Sequence, residues 1–333
     1  MKQTEKAPPR TAHAATALGP NGVVSRAAES IRTMQVRGAG KIARSAAMAL
    51  AEFAHSWKGA KPRDLYKELE ASAKLLLATR PTAVSLRNAV NLTLAPAREA
   101  AKADGNVDDV RRCAYEAGTR FAHDSVLAVE KVAARVAEWL PKRATVLTHC
   151  NSQAAVEAIK AAHESGRKVK AICTESRPWF QGHLTARQLD EAGIDTTFVV
   201  DSAAYEAMAA QKVDAVVVGA DTVLGGGSLM NKIGTVQVAL AAKDLGVPFY
   251  VAAESYKFSP FDERPPIEER DVEEVLKPAP ASFRELGVTV RNAVFDETPP
   301  RLIERFATEH KALRPDECAA YVRATFGDVR EWI

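Results

Sequence analysis

The chain has 333 residues, 47% hydrophobic and 26% charged, which is enough for an ordinary globular core and, by length, for two domains. A formal net charge of +3 argues against a general nucleic-acid binder and against a salt-adapted acidic surface, and leaves small anionic substrates open. The four cysteines (Cys113, Cys150, Cys173, Cys318) form no C-x-x-C pair and no zinc-spaced cluster, so neither a disulfide framework nor a metal site is expected. With no signal-peptide core and no apolar run near the ~20 residues that span a bilayer, the chain reads as cytoplasmic and free of the membrane.

Residues 1–20 mix Lys, Pro, Thr, Ala and Gly without periodicity and predict a flexible arm. From Val24 the spacing turns helical, with Val24, Ala27, Ile31 and Met34 on one face. After Arg37-Gly38-Ala39-Gly40 a second face appears at Ile42, Ala46, Ala49 and Phe53, and a third at Leu65, Leu69, Ser72 and Leu76. That third helix should end just before Arg80-Pro81, because proline disfavours helix in the residue preceding it. A long helical stretch follows, its last stripe marked by Val129, Val132, Val136 and Leu140. No strand pattern interrupts it, so residues 21–140 predict an all-helical N-terminal domain.

Pro141 changes the pattern. Short β-branched runs at 144–147, 169–173, 196–200, 215–218, 249–252 and 293–295 alternate with helix-length pieces such as 154–164 and 233–242. Continuous rather than alternating apolar strands indicate a parallel sheet covered on both faces. Residues 141–333 are therefore expected to form a Rossmann-like α/β domain. Such sheets bind ligands at the carboxyl ends of their strands.

The unusual residues sit at those ends. The first strand runs into Thr148-His149-Cys150-Asn151-Ser152 and the second into Thr174-Glu175-Ser176-Arg177-Pro178. The fourth runs into Gly219-Ala220-Asp221, then three glycines and Asn231-Lys232-Ile233-Gly234-Thr235, and the fifth into Glu254-Ser255-Tyr256-Lys257. Turns explain Asn and Ser at such places; a cysteine, an arginine before proline and a lysine need another reason.

A free cysteine is ordinarily a small buried hydrophobe, and Cys113, Cys173 and Cys318 fit that. Cys150, just past an apolar strand, beside polar neighbours and near a helix start, is expected to have a lowered pKa and a reactive thiolate. Asp221, at the end of a buried strand, is either a capping residue or a desolvated carboxyl with a raised pKa, able to act as an acid near neutrality. Together they would form an acid–base pair. Arg37 to Gly40 could cradle an anion between glycine backbone and helix N–H groups, with Arg80, Lys232 and Lys257 as further contacts; each alone is more ordinary than their convergence. For Glu175 and Arg177 the ordinary alternative is pairing with each other. The glycines at 225–227 lack the dinucleotide fingerprint, so no nicotinamide cofactor is expected.

These stretches, together with Arg80-Pro81-Thr82-Ala83-Val84, Gln181-Gly182 and Thr185-Ala186, resemble the motif set of one family. It unites methylthioribose-1-phosphate isomerases, archaeal ribose-1,5-bisphosphate isomerases and the regulatory subunits of translation initiation factor two-B. The likeness runs from about Ile31 to Asp296 and is greatest to the bisphosphate enzymes; methylthioribose enzymes usually have proline where Gly40 stands and a different segment at 253–258. The resemblance implies Cys150 as base and Asp221 as acid. It implies substrate contacts from Arg37, Gly38, Ala39, Gly40, Arg80, Arg177, Asn231, Lys232 and Lys257, and no cofactor or metal. It further implies a hexamer of paired subunits, AMP as an activator to be tested, and a place in AMP breakdown feeding ribulose 1,5-bisphosphate to RuBisCO. The loop 224–230 and the segment 259–270 are expected to serve as lids. The rival expectations are methylthioribose-1-phosphate isomerase and a non-catalytic regulatory subunit, which generally needs neither Cys150 nor Asp221.

Overall fold

The computed structural model describes residues 20–103, 106–261 and 264–333. Apart from Pro20, the expected arm over residues 1–20 lies outside the described residues. Helices α1 (Pro20–Arg32), α2 (Ala39–Ser56), α3 (Pro62–Leu77), α4 (Val84–Lys102) and α5 (Val107–Trp139) come first. Their expected stripes, Ile31, Ile42, Phe53, Leu65, Leu69 and Leu76 among them, pack into one core. The third helix stops ahead of Arg80-Pro81, as the proline requires. The long helical stretch is two helices, α4 and α5. The second is restarted by Asn106, whose side chain accepts from the Asp109 N–H, with Asp108 and Asp109 in its positive first turn.

Helix α5 is 33 residues long and serves two cores. Val110 and Ala114 pack with the helical bundle, whereas Val129, Val132 and Val136 lie against the sheet that follows. The rest of the chain alternates: β1 (Arg143–Thr148), α6 (Gln153–Glu164), β2 (Lys168–Thr174), α7 (Gln181–Asp190), β3 (Asp195–Val199), α8 (Ala204–Gln211) and β4 (Ala215–Val218). Next come β5 (Thr222–Val223), β6 (Leu229–Lys232), α9 (Thr235–Asp244), β7 (Phe249–Ala252) and the short α10 (Glu273–Leu276) and α11 (Ala281–Arg284). Finally β8 (Phe295–Thr298), β9 (Arg305–Ala307), β10 (Ala312–Leu313) and α12 (Cys318–Phe326) complete the chain.

Seven strands form the main sheet in the order β10-β9-β7-β4-β1-β2-β3, all parallel except β10. Val216 and Val218 of β4 face one core and Ala215 and Val217 the other, so the strand is covered on both sides. The chain builds outward from β1 in one direction and from β4 in the other. Neighbouring β1 and β4 therefore flank the topological switch point, where the loops diverge and leave a crevice.

The expected strand at 293–295 is a correction. Only Phe295 of it falls in a strand, opening β8, which runs antiparallel beside β6, with Lys232 opposite Phe295 and Asn231 opposite Asp296, in a separate three-stranded sheet β5-β6-β8. What decides it is the partner: four residues of β8, Phe295 to Thr298, pair with the four of β6, Lys232 back to Leu229. The sheet gains β9 instead, pairing parallel with β7.

Candidate active site

Cys150 lies two residues beyond β1 and Asp221 three beyond β4, on either side of the switch point. The two loops can approach because Gly219 has no side chain: a Cβ there would overlap the Ser152 hydroxyl. Ser152 in turn starts α6 by accepting from the Ala155 N–H at 3.4 Å.

Cys150 has φ 71°, a left-handed conformation unusual for a non-glycine residue. Its surroundings over-determine it. The Cys150 N–H donates to Ser176 Oγ at 2.7 Å, and Thr185 Oγ1 donates to the Cys150 carbonyl at 2.7 Å. The thiol donates to Gln181 Oε1 at 3.3 Å. Asn151 is anchored on Thr185 and Gln188. Asp201 accepts the N–H groups of Ser176 and Arg177, at 2.7 and 2.9 Å, and so holds the second strand's turn under the cysteine. Buried His149 bridges Thr174 Oγ1 and the Ile233 carbonyl. A carbonyl only accepts, so Nε2 carries the proton; burial lowers the ring's pKa and keeps it neutral.

The expectation of a lowered thiol pKa is corrected. Burial pushes the Cys150 thiol up to about 11, only partly offset by the positive charge of Lys232, and the Asp221 carboxylate pushes the same way as burial. The residue keeps some exposure, but the helix that was expected to stabilise a thiolate is capped by Ser152 instead. Asp221 is raised from the ordinary carboxylate value by burial, against Lys232, Lys257, Arg80 and Arg270, which pull it down. Each group thus senses Lys232, and Cys150 senses Asp221. At neutral pH both hold protons more tightly than free side chains do.

Of the expected contacts, Lys232, Lys257 and Arg80 bring positive charge to bear on Asp221. Lys232 is buried, with its ammonium 5.2 Å from the Phe295 ring centre. Lys257 pairs with buried Glu254 at 2.6 Å. Asn231 is buried and donates to Thr235 Oγ1 at 3.1 Å, bracing the turn that presents Lys232. Arg80 donates to Glu268 Oε2 at 2.9 Å. Gly40, at the start of α2, is where the Tyr256 hydroxyl comes close: a Cβ would stand 2.7 Å from it. Gly38 takes φ 84° and no side chain caps the first turn of α2, leaving the amides of Ala39 and Gly40 at an open helix start.

Two expected contacts are engaged elsewhere. Exposed Arg37 donates to the Met34 carbonyl and stacks 4.4 Å over the Trp179 ring. Arg177 does not pair with Glu175; it donates to the Val275 carbonyl at 3.1 Å and lies over Phe180. Arg177 also lines a cleft of about 500 Å³ with Phe295 and Asp296. A second cleft, of about 480 Å³, runs between α4, α5 and Tyr256. Neither is lined by Cys150 or Asp221. The shared electrostatic neighbourhood marks the chemistry instead: Lys232 acts on both titrating groups, and Lys257, Arg80 and Arg270 act on Asp221.

Sequence reasoning missed Glu254, Glu268 and Arg270. The last two stand in the run Glu268-Glu269-Arg270-Asp271, which reads as a solvated charge cluster. Among the described residues no group of three or more His, Cys, Asp or Glu is placed to hold a metal ion, and no helix is long and apolar enough to cross a membrane.

The sequence model of the Initiation factor 2 subunit family matches residues 35–315. The chain belongs to that family. Within it, a ribose 1,5-bisphosphate isomerase of Archaeoglobus fulgidus is 47% identical over 309 residues, covering 91% of this chain and 92% of its own. A methylthioribose-1-phosphate isomerase of Pelotomaculum thermopropionicum is 37% identical, with 86% and 82% covered. The crystal structure of the 5-methylthioribose 1-phosphate isomerase of Pyrococcus horikoshii superposes with a TM-score of 0.74 at 29% identity, covering 90% and 87%.

Proposed function

We propose that this family member is an aldose–ketose isomerase converting ribose 1,5-bisphosphate to ribulose 1,5-bisphosphate. The observation that carries this reading is that Cys150 and Asp221 follow the neighbouring strands β1 and β4 at the switch point, where the charge of Lys232 acts on both and those of Lys257 and Arg80 act on Asp221. Ribose 1,5-bisphosphate has its anomeric oxygen esterified, so its ring cannot open to a free aldehyde. An acid must help the ring bond break, and a base must then take the C2 proton.

Asp221 suits the first task, since its raised pKa favours the protonated form. It donates to the ring oxygen as the bond to C1 breaks. Cys150 thiolate removes the C2 proton, leaving an enol that carries the C1 phosphate. The proton on sulfur then returns to C1, and the Asp221 carboxylate takes the enol proton as the C2 ketone forms. Both groups are restored, and no proton is gained or lost. A thiol with a pKa of about 11 is sparsely ionised at neutrality but is a stronger base once ionised. Lys232, the cation nearest in effect to both groups, favours the thiolate. Each such step typically contributes about 10²- to 10⁴-fold.

The methylthioribose reading shares this chemistry but needs an apolar pocket for the methylthio group. The positive charges of Lys257, Arg80 and Arg270 that act on Asp221 favour a second phosphate over such a pocket. Arg37, Arg177, Asn231 and the 38–40 backbone complete the proposed substrate shell, with Arg37 and Arg177 released from their present partners as substrate enters. The hexamer, the response to AMP, the cytoplasmic setting and the link to RuBisCO are proposals that rest on family resemblance. One assay tests the core reading: the purified protein, given ribose 1,5-bisphosphate, should form the ketose, and should leave methylthioribose 1-phosphate largely unconverted. Failure to form the ketose overturns the reading.

A further inference from the structure

Arg80 and Arg270 come from distant parts of the chain and meet on one carboxylate. Arg80 Nη2 donates to Glu268 Oε2 at 2.9 Å, and Arg270 Nε donates to Glu268 Oε1 at 2.7 Å. Thr82 Oγ1 adds a bond to the same Oε2 at 3.2 Å. The three charged side chains are only 13%, 14% and 20% exposed. Burial would raise the Glu268 carboxyl, but the two guanidiniums outweigh it and hold it below its ordinary value.

Glu268 uses only one edge of each guanidinium. Among the described residues, Arg80 Nε is buried without a hydrogen-bond partner, and Arg270 bonds to protein acceptors through Nε alone. A buried donor left unpaired typically costs about 1–3 kcal/mol, so the cluster is built short of an acceptor. Two positive charges on one negative leave a surplus, and both arginines pull on Asp221. The surplus therefore acts on the proposed acid. The chain fixes Arg270 in place: its N–H donates to the Asn292 carbonyl at 3.0 Å, and Glu269 bridges to Ala293.

We propose that Arg270 binds a substrate phosphate together with Arg80, and that Glu268 is the positioning residue that holds the two guanidiniums side by side. The identity of the ligand rests on the isomerase reading; the binding site does not require turnover. Two guanidinium forks aligned by a shared carboxylate match the several oxygens of one phosphate.

The test is calorimetric titration of the full chain with ribose 1,5-bisphosphate, ribose 1-phosphate and ribose 5-phosphate. Arg270→Ala should weaken the bisphosphate at least tenfold, weaken one monophosphate comparably and leave the other within threefold. Arg270→Lys, which keeps the charge, should recover part of the loss and guards against a misfolded alanine variant. Glu268→Gln should reduce the preference for that same monophosphate and spare the other, which a merely structural role would not do. Equal weakening of both monophosphates, or bisphosphate affinity within threefold of wild type in Arg270→Ala, overturns the proposal. Turnover measured in parallel separates the two ideas. A wild type that shows this Arg270 dependence without forming ketose sinks the isomerase reading and keeps the phosphate site. Turnover with an unchanged KM in Arg270→Ala does the reverse.

Discussion

The carboxylate of Asp221 raises the pKa of the Cys150 thiol, although the two residues are separated by 70 intervening positions and sit on different strands. Neighbouring β1 and β4 bring them together, and Lys232 moderates both. This arrangement makes the pair a unit in which each charge state depends on the other.

Removing either member should remove the reaction. Cys150→Ser and Asp221→Asn are each expected to lower kcat by about 10³-fold or more, since general acid or base assistance contributes on that scale. Circular dichroism should show both variants folded. Retention of more than a tenth of wild-type kcat in either one would end the acid–base assignment.

Alkylation reads the same pair without substrate turnover. With the thiol pushed to about 11, the rate of iodoacetamide inactivation should still be climbing at pH 10, well past the ordinary thiol midpoint near 8.5. Asp221→Asn removes a negative neighbour and should move that profile to lower pH; Lys232→Ala should move it upward. A midpoint near 8.5 in wild type would contradict the enclosed sulfur.

Lys257→Ala should raise the KM for ribose 1,5-bisphosphate and also leave Glu254 buried and unpaired. Breaking a buried pair in this way typically costs about 3–5 kcal/mol. The double variant Lys257→Ala with Glu254→Gln should regain much of the stability, measured by urea unfolding, while KM stays high. Recovery of KM alongside stability would assign Lys257 a structural role alone.

Asp296 supplies a pH dependence. It accepts the N–H groups of Gly234 and Val236 at the start of α9, at 2.6 and 3.2 Å, yet burial pushes its pKa from 3.8 to about 6. A raised folded pKa means the folded protein binds the proton more tightly. Its contribution to stability is therefore complete below about pH 4 and lost as pH rises through 6. Linkage puts the difference between pH 5 and pH 7.5 at about 1 kcal/mol. Asp296→Asn should remove that difference from the pH dependence of urea unfolding; an unchanged difference would assign it to other groups.

The helices and the parallel sheet were legible because burial imposes a period: Val24 to Leu76 repeats helically, and the β4 run Ala-Val-Val-Val is buried on both faces. Cys150 and Asp221 stood out because turn chemistry does not call for a cysteine there. Four things were hidden. Strand β9 is Arg-Phe-Ala, too short to carry a pattern. The direction of β8 depends on its distant partner β6 rather than on its own residues. The Cys150 pKa depends on enclosure by Gln181, Ser176 and Thr185, which no local window shows. Arg270 was invisible for a related reason: its partner Arg80 lies far away in sequence and only the fold unites them.

Helix α5 has a mechanical consequence. At 1.5 Å per residue its 33 residues form a rod roughly 50 Å long, with one end among helices and the other beneath a sheet. Melting either half strips one side of that rod of its packing, so the bundle and the sheet are bound to lose order together, in one transition rather than two.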